Sequence, residues 1–337
     1  MKITRESNIE LLRIVAMFMI LGLHANMLAL GLPNKIDIIN NPTTSITRFF
    51  FEHICIMGVN IFVLISGWFG IRYRTKGLCS FLFQSLFFSI VIFLPFALCG
   101  NVELNRINIL SSLLLYKNAY WFMWAYLILY ITAPVLNTFI DNAEKHIYRK
   151  FLLLFFTIQT IVHFFTPCNF FDAGYTPLSF IGLYLLMRYI RKYHSDTKKQ
   201  TLLIIWLLYI CINLVICHTE NISLIAISLA YVNPLNIIGA AALVLFFTKI
   251  SIKSSFINSI AVSCFAVYLF HCHFCVIEYY KLISLTIFNQ YGGILYFVNI
   301  LLFICLVFAI AVIIDKLRIF TFNQIWKFVE NRKNVTQ

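Results

Sequence analysis

The chain has 337 residues, of which 61% are hydrophobic and only 12% are charged, whereas a soluble globular chain carries about 25% charged residues. Apolar runs of about 20 residues recur from end to end, each long enough to cross a hydrocarbon core of about 30 Å. They are continuous rather than alternating, which excludes a soluble globule and a β-barrel and leaves an all-α polytopic transmembrane helical bundle. The net charge of +13 sits in short segments between those runs, the pattern of membrane topology and not of a nucleic-acid-binding face. Ten cysteines are scattered inside apolar runs as small hydrophobes, with no spacing that reads as a disulfide framework.

About ten spans are expected, at 8–30, 46–71, 78–99, 119–139, 150–166, 178–193, 201–217, 222–248, 258–281 and 293–315, forming one membrane domain over 1–337. The first run is too long and lacks the small-residue cleavage site of a signal peptide, so it reads as a retained helix. The eighth is interrupted by Asn233-Pro234 and is expected to be kinked there or partly re-entrant. With the N-terminus in the cytoplasm, the inner segments hold Lys2 and Arg5, Arg72 to Lys76, Lys145 to Lys150, Arg188 to Lys199, Lys249 and Lys253, and the basic tail from Lys316 to Lys333. These account for 20 of the 26 basic residues and put both termini inside. The segment 100–118 between spans three and four carries an amphipathic stretch, Ile107 to Leu115.

Ionisable residues inside a span are costly and mark a cavity, a pathway or a buried pair. The first span places Glu10 and Arg13 near its inner end and His24 well inside the run. Arg13 and His24 are eleven residues apart, close to three turns, so they share a face and are separated by about 16 Å along the axis. Glu10, three residues before Arg13, is placed to pair with it. Snorkelling of Glu10 and Arg13, with His24 bonded to a neighbouring helix, is the competing explanation.

In the second span Arg48 and Glu52 stand four apart, followed by His53. Asn60 and then Ile65-Ser66-Gly67-Trp68 lie deeper, and Arg72, Arg74 and Lys76 emerge at the inner surface. Ser66-Gly67 suits close helix packing. Lys76 reads as a topology anchor, whereas Arg72 and Arg74 suit bidentate capture of a phosphate. Tyr120-Trp121-Phe122 opens the fourth span, followed by Tyr126, Tyr130, Pro134 and Asn137, an arrangement that also fits an interfacial aromatic belt. The ninth span carries Ser263, Tyr268, His271 and His273. The string His271-Cys272-His273-Phe274-Cys275 does not predict a metal site, because helical neighbours diverge by about 100° per residue.

These residues resemble the acyltransferase-3 family of bacterial integral membrane acyltransferases. The resemblance is carried by Asn8-Ile-Glu-Leu-Leu-Arg13 with His24, and by Gly58-Val-Asn-Ile-Phe-Val-Leu-Ile-Ser66-Gly67-Trp68. It continues in Tyr120-Trp-Phe, in Ala125 to Tyr130, in Ala133-Pro-Val-Leu-Asn137 and in Phe265 to His271, in the family's order over nearly the whole chain. The spacing of Arg13 to His24 is its most specific element. It implies a protein of the bacterial cytoplasmic membrane that transfers an acyl group, commonly acetyl from acetyl-CoA, to a hydroxyl. Acceptors in the family include cell-surface polysaccharide, peptidoglycan and lipid-linked sugars.

The resemblance assigns catalysis to His24 with Arg13, and acyl-CoA is then a donor substrate rather than a permanently bound cofactor. Arg72 and Arg74 are placed for the donor, although some relatives carry Arg-x-x-Arg where this chain has Arg72-Tyr73-Arg74. Glu10, Asn60, Ser66, Trp121, Tyr126 and His271 are candidates for support or acceptor contact. A neutral imidazole beside a sugar hydroxyl removes its proton as the bond to the acyl carbon forms. A transporter or flippase of a glycan or lipid precursor is the alternative, since broken helices and intramembrane charges serve there too. The Arg13/His24 pattern has no second copy in the chain, unlike the paired halves common in transporters.

Overall fold

The computed structural model describes residues 6–114, 120–166 and 170–335. Lys2 and Arg5 of the first basic group, and positions 115–119 ahead of the fourth span, lie outside them. Every regular element among the described residues is helical. Among the described residues seven helical stretches are long and apolar enough to cross a membrane, and the chain is a multi-pass membrane protein.

The first stretch joins α1 (Ser7–Leu23) to a π-helical turn at His24–Leu28. After a short amphipathic α2 (Lys35–Asn40), α3 (Pro42–Cys55) and α4 (Met57–Phe69) follow as one span that bends at Ile56. Then come α5 (Thr75–Leu98), a short α6 (Arg106–Ser112), α7 (Trp121–Asn142), α8 (Lys145–Phe165) and α9 (Pro177–Tyr193). The sixth expected span, α9, is 17 residues long. Next is α10 (Lys199–His218). The expected eighth span divides into α11 (Ile222–Ser228) and α12 (Pro234–Thr248). Pro234, which has no N–H to give, opens α12, and the Asn233 side chain caps it by accepting from the Leu235 amide at 2.9 Å.

The ninth expected span also differs from a single rod. It divides into α13 (Ser255–Ala261), α14 (Cys264–His271) and α15 (Ile277–Gln290). At the second break the His273 ring accepts the Cys275 amide at 3.1 Å. A side chain thus takes a backbone donor that a continuing helix needs. The last helix, α16 (Gly293–Val335), is 43 residues long and runs well past the expected end at 315.

The expected second span forms the centre of the bundle. Over its most apolar window 72% of Pro42–Phe69 is buried, against 17% for Lys145–Phe165 at the periphery. α4 packs on α1, α9 and α12, and two glycines let the backbones approach. A Cβ on Gly58 would fall 2.8 Å from the Ala16 carbonyl oxygen of α1, and one on Gly67 would fall 2.9 Å from the Tyr184 carbonyl oxygen of α9. Ser66-Gly67 is therefore a packing site, as its small residues suggest. Gly58→Val must push α1 off α4, and the expected loss is about 1–3 kcal/mol. Thermal unfolding in detergent measures it, and an unchanged midpoint would show that this contact is not tight.

The start of α1 is pinned to the same end of the bundle. The Asn8 amide donates to the Phe247 carbonyl of α12 at 2.7 Å, and the Ser7 hydroxyl donates to the Ser254 carbonyl at 3.3 Å. α1 packs in addition on α13 and α14, which fixes the face that carries Arg13 and His24.

Candidate active site

A cavity of about 390 Å³ opens along that face, and both Arg13 and His24 line it. Their spacing of three turns, about 16 Å along the helix axis, puts both side chains on one cavity. Its volume is in the range of small-ligand sites. Ser66, Trp121 and Tyr126 line it too. Ser66 and Tyr126 are joined by a hydroxyl–hydroxyl bond of 3.1 Å, and the Ser66 hydroxyl also reaches the Phe62 carbonyl at 3.1 Å.

Arg13 donates through one guanidinium nitrogen to both oxygens of Glu10, at 3.0 and 3.1 Å. Its side chain remains 28% exposed while that of Glu10 is 6% exposed. The carboxylate is thus spent on holding the guanidinium at the cavity. Glu10 supports Arg13, as their spacing predicts.

The geometry at the other end selects a tautomer. His24 Nδ1 and His271 Nε2 are 2.9 Å apart, and His271 Nδ1 lies 2.6 Å from the Val267 carbonyl oxygen. A carbonyl only accepts, so His271 Nδ1 carries the hydrogen and its Nε2 is an acceptor. His24 Nδ1–H is then the donor to it, which leaves the His24 Nε2 lone pair unspent. His24 is the imidazole of the pair that lines the cavity. This is the form a general base needs, oriented by a second histidine that is itself fully buried.

α14 ends at His271, so Cys272 starts a turn. Its sulfur comes 3.3 Å from His271 Nε2 and 3.7 Å from His24 Nδ1. Three ligand-type atoms from His24, His271 and Cys272 therefore lie within 4.8 Å of one another. The divergence expected for the rest of the string holds for His273, which turns away to the Ser89 carbonyl at 3.0 Å.

Asn60 stands behind the cavity wall. It is buried, and its amide donates to the carbonyl of Tyr231, a lining residue, at 2.9 Å. Arg72 and Arg74 part company. Arg72 lines a second cavity, of about 570 Å³, with Asn137, Asp141, Arg188, Arg191 and Lys192. Arg74 is exposed and lines neither cavity; its backbone N–H and carbonyl both meet the Tyr130 hydroxyl at 3.1 Å.

In the basic cavity, Arg191 lies over the Trp68 ring with 5.2 Å to the centroid and donates to the Trp68 carbonyl. Lys192 donates to the Ile140 carbonyl at 2.8 Å. Arg188 Nε is buried without a partner. Arg188 and Arg191 were legible only as topology anchors. Their spacing of three residues on α9, on the side of Arg72, was the available signal for more. Gln84 and Tyr231 are lining residues of the first cavity that the sequence did not single out, and Tyr268, noted without a role, lines it too.

No curated protein and no solved structure matches the chain. A family model described as an acyltransferase domain, that of the acyltransferase-3 family, matches residues 6–316, which is nearly the whole chain and includes every residue that lines the two cavities. The chain therefore belongs to the acyltransferase-3 family and is a membrane acyltransferase.

Proposed function

We propose that the protein moves an acyl group, acetyl foremost, from acyl-CoA to a hydroxyl of a cell-envelope glycan or glycolipid, with His24 as general base. The observation that carries this reading is the single cavity with Arg13 at one end and, at the other, a His24 ring held by His271 with its Nε2 free. The charge distribution supports a cytoplasmic location for both termini and for the Arg13 end, in a bacterial cytoplasmic membrane. Acyl-CoA is made in the cytoplasm, so donor and basic residues then share a side.

The donor is a polyanion with a long neutral arm. Its phosphates suit the second cavity, where Arg72, Arg188 and Arg191 supply guanidinium groups and Lys192 an ammonium. The arm lies past Arg13, among Ser66, Tyr126 and Phe265, and brings the thioester to His24. The acceptor hydroxyl loses its proton to His24 Nε2 as its oxygen attacks the thioester carbon. The tetrahedral intermediate then collapses, the C–S bond breaks, and the imidazolium returns the proton to the departing thiolate. Products are the acyl ester and free CoA thiol.

Membrane vesicles from cells expressing the full chain, given acetyl-CoA labelled in its acetyl group, test this. Label is expected in the glycan or glycolipid fraction with one free thiol per acetyl moved. Label that stays on CoA overturns the proposal. Arg13→Ala is expected to raise KM for acetyl-CoA about tenfold or more, since a hydrogen bond to a charged group is worth about 1.5–3 kcal/mol. A normal KM would remove Arg13 from donor binding.

A further inference from the structure

Base catalysis by His24 leaves unanswered where the negative charge goes when the thioester carbonyl is attacked. Two unspent donor groups meet at the His24 end of the cavity. Tyr268, on α14 one turn before His271, is 5% exposed and lines the cavity with His24. Its hydroxyl is buried and its proton has no acceptor, while the Phe122 amide lies within hydrogen-bonding reach of its oxygen. A buried hydroxyl whose proton has no acceptor is costly, and natural cores seldom keep one without a use. The ring is held on four sides, by Tyr120 at 5.9 Å, Phe122 at 5.7 Å, Phe265 at 6.0 Å and His271 at 6.2 Å between centroids. The hydroxyl is thus fixed in place while its proton is free to be given.

The second group is the start of α7, a helix of 22 residues whose N-cap, Tyr120, provides no side-chain cap. The first intrahelical bond runs from the Trp124 amide to the Tyr120 carbonyl. The amides of Trp121, Phe122 and Met123 therefore have no acceptor within the helix. Trp121 and Phe122 line the cavity, and the Phe122 amide donates toward the Tyr268 oxygen, which ties the start of α7 to that hydroxyl and leaves its proton to be given. The positive end of the α7 dipole points to the same place.

We propose that the Tyr268 hydroxyl and the N-terminal amides of α7 form an oxyanion hole that receives the thioester carbonyl oxygen of the donor. The inference rests on the acyl-transfer reading above and adds a catalytic residue to it. As the acceptor oxygen bonds to the carbonyl carbon and its proton passes to His24, the carbonyl π pair moves onto oxygen. Tyr268 O–H and the α7 amides donate to that oxygen until the pair returns and expels the thiolate. Donors fixed before the reaction are most effective there, because nothing has to reorganise when the charge appears.

Infrared spectroscopy of the detergent-solubilised full chain with acetyl-CoA carrying 13C at the thioester carbonyl reads this contact without an acceptor. The bound carbonyl band is expected at lower wavenumber than that of free acetyl-CoA. In Tyr268→Phe, which keeps the ring and its packing, the band is expected to move back toward the free position. In vesicles containing the acceptor, the same variant is expected to lose about 10²-fold in kcat with KM for acetyl-CoA held within twofold. The melting temperature should stay level, because the proton that is removed has no acceptor in the folded protein.

A bound carbonyl with no shift in the wild type, or an equal shift in Tyr268→Phe, overturns the proposal while leaving the acyltransfer reading intact. So does a fall in melting temperature with kcat retained, which would make the hydroxyl structural. Failure of labelled acetyl-CoA to bind at all overturns the donor reading, and the oxyanion hole with it.

Discussion

Replacing His24 with alanine is expected to reduce acyl transfer by about 10³-fold, within the 10²–10⁴ that a positioned general base contributes, while the protein still inserts and folds. The ring's contacts explain both halves of that result. Its one close bond is to His271 Nε2, and once it is gone the Cys272 thiol, 3.3 Å from the same nitrogen, is placed to donate instead. The core therefore loses no essential partner. The cavity, in contrast, loses the one oriented imidazole with a free lone pair among its described lining residues. Imidazole added to the medium should restore part of the rate in His24→Ala, because the deletion leaves room for it beside His271. Thiol release from acetyl-CoA measures both effects. A variant that keeps a tenth or more of wild-type turnover removes His24 from the chemistry.

A second large effect belongs to stability. Arg48 and Glu52, the pair four residues apart in α3, are both buried, at 5% and 0% exposure, yet they are bridged by Asn26. Arg48 Nε donates to Asn26 Oδ1 at 2.8 Å, and Asn26 Nδ2 donates to Glu52 Oε2 at 2.8 Å. Arg48 also donates to the Gly31 carbonyl at 2.6 Å and lies over the Phe288 ring. Arg48→Met strands the Glu52 carboxylate in a dry site and is expected to cost about 3–5 kcal/mol, the range found when one member of a buried pair is removed. Adding Glu52→Gln should recover much of that loss. Unfolding midpoints of the two single variants and the double in detergent supply the coupling. If the double variant is as unstable as the sum of the singles, the network is not a unit. Because Asn26 follows His24 by two residues, the same variant should also loosen the His24 ring, visible as a lower kcat in whatever fraction remains folded.

How much of this could be read from the residues varies with the signal each kind of structure leaves. The spans over α5, α7 and α10 were legible because lipid demands unbroken apolar length, and the split before α12 because Pro234 has no N–H. The breaks at Val262–Ser263 and after His271 left no comparable trace. No Gly or Pro marks them, and the second is made by the His273 side chain accepting a backbone amide. Running α16 on to Val335 was hidden for the opposite reason, since a charged helix beyond the membrane has no hydropathy to announce it.

In the site, Arg13, His24, Ser66 and Trp121 stood out as polar or amphipathic groups at helical spacing, and they share a cavity. Tyr268 was noted but carried no role, because a tyrosine within an apolar run has the same pattern whether its hydroxyl is spent or free. Only the missing acceptor for its proton in three dimensions separates the two. Arg188 was masked by a rule that is itself correct, as basic residues at the end of a span do set orientation.

The π-helical turn at His24–Leu28 has a consequence for length variation in the first span. A π turn contains one residue more than the α turn it replaces, so it behaves as a stored insertion. Between Arg13 and His24, deleting a residue would rotate all that follows by about 100° and take one of the two off the cavity. Within 25–28, removal of one residue converts the wide turn to an ordinary one and leaves the phase of both flanks unchanged. That short segment is the place where this span has slack, and it begins at the imidazole the rest of the helix is built to aim.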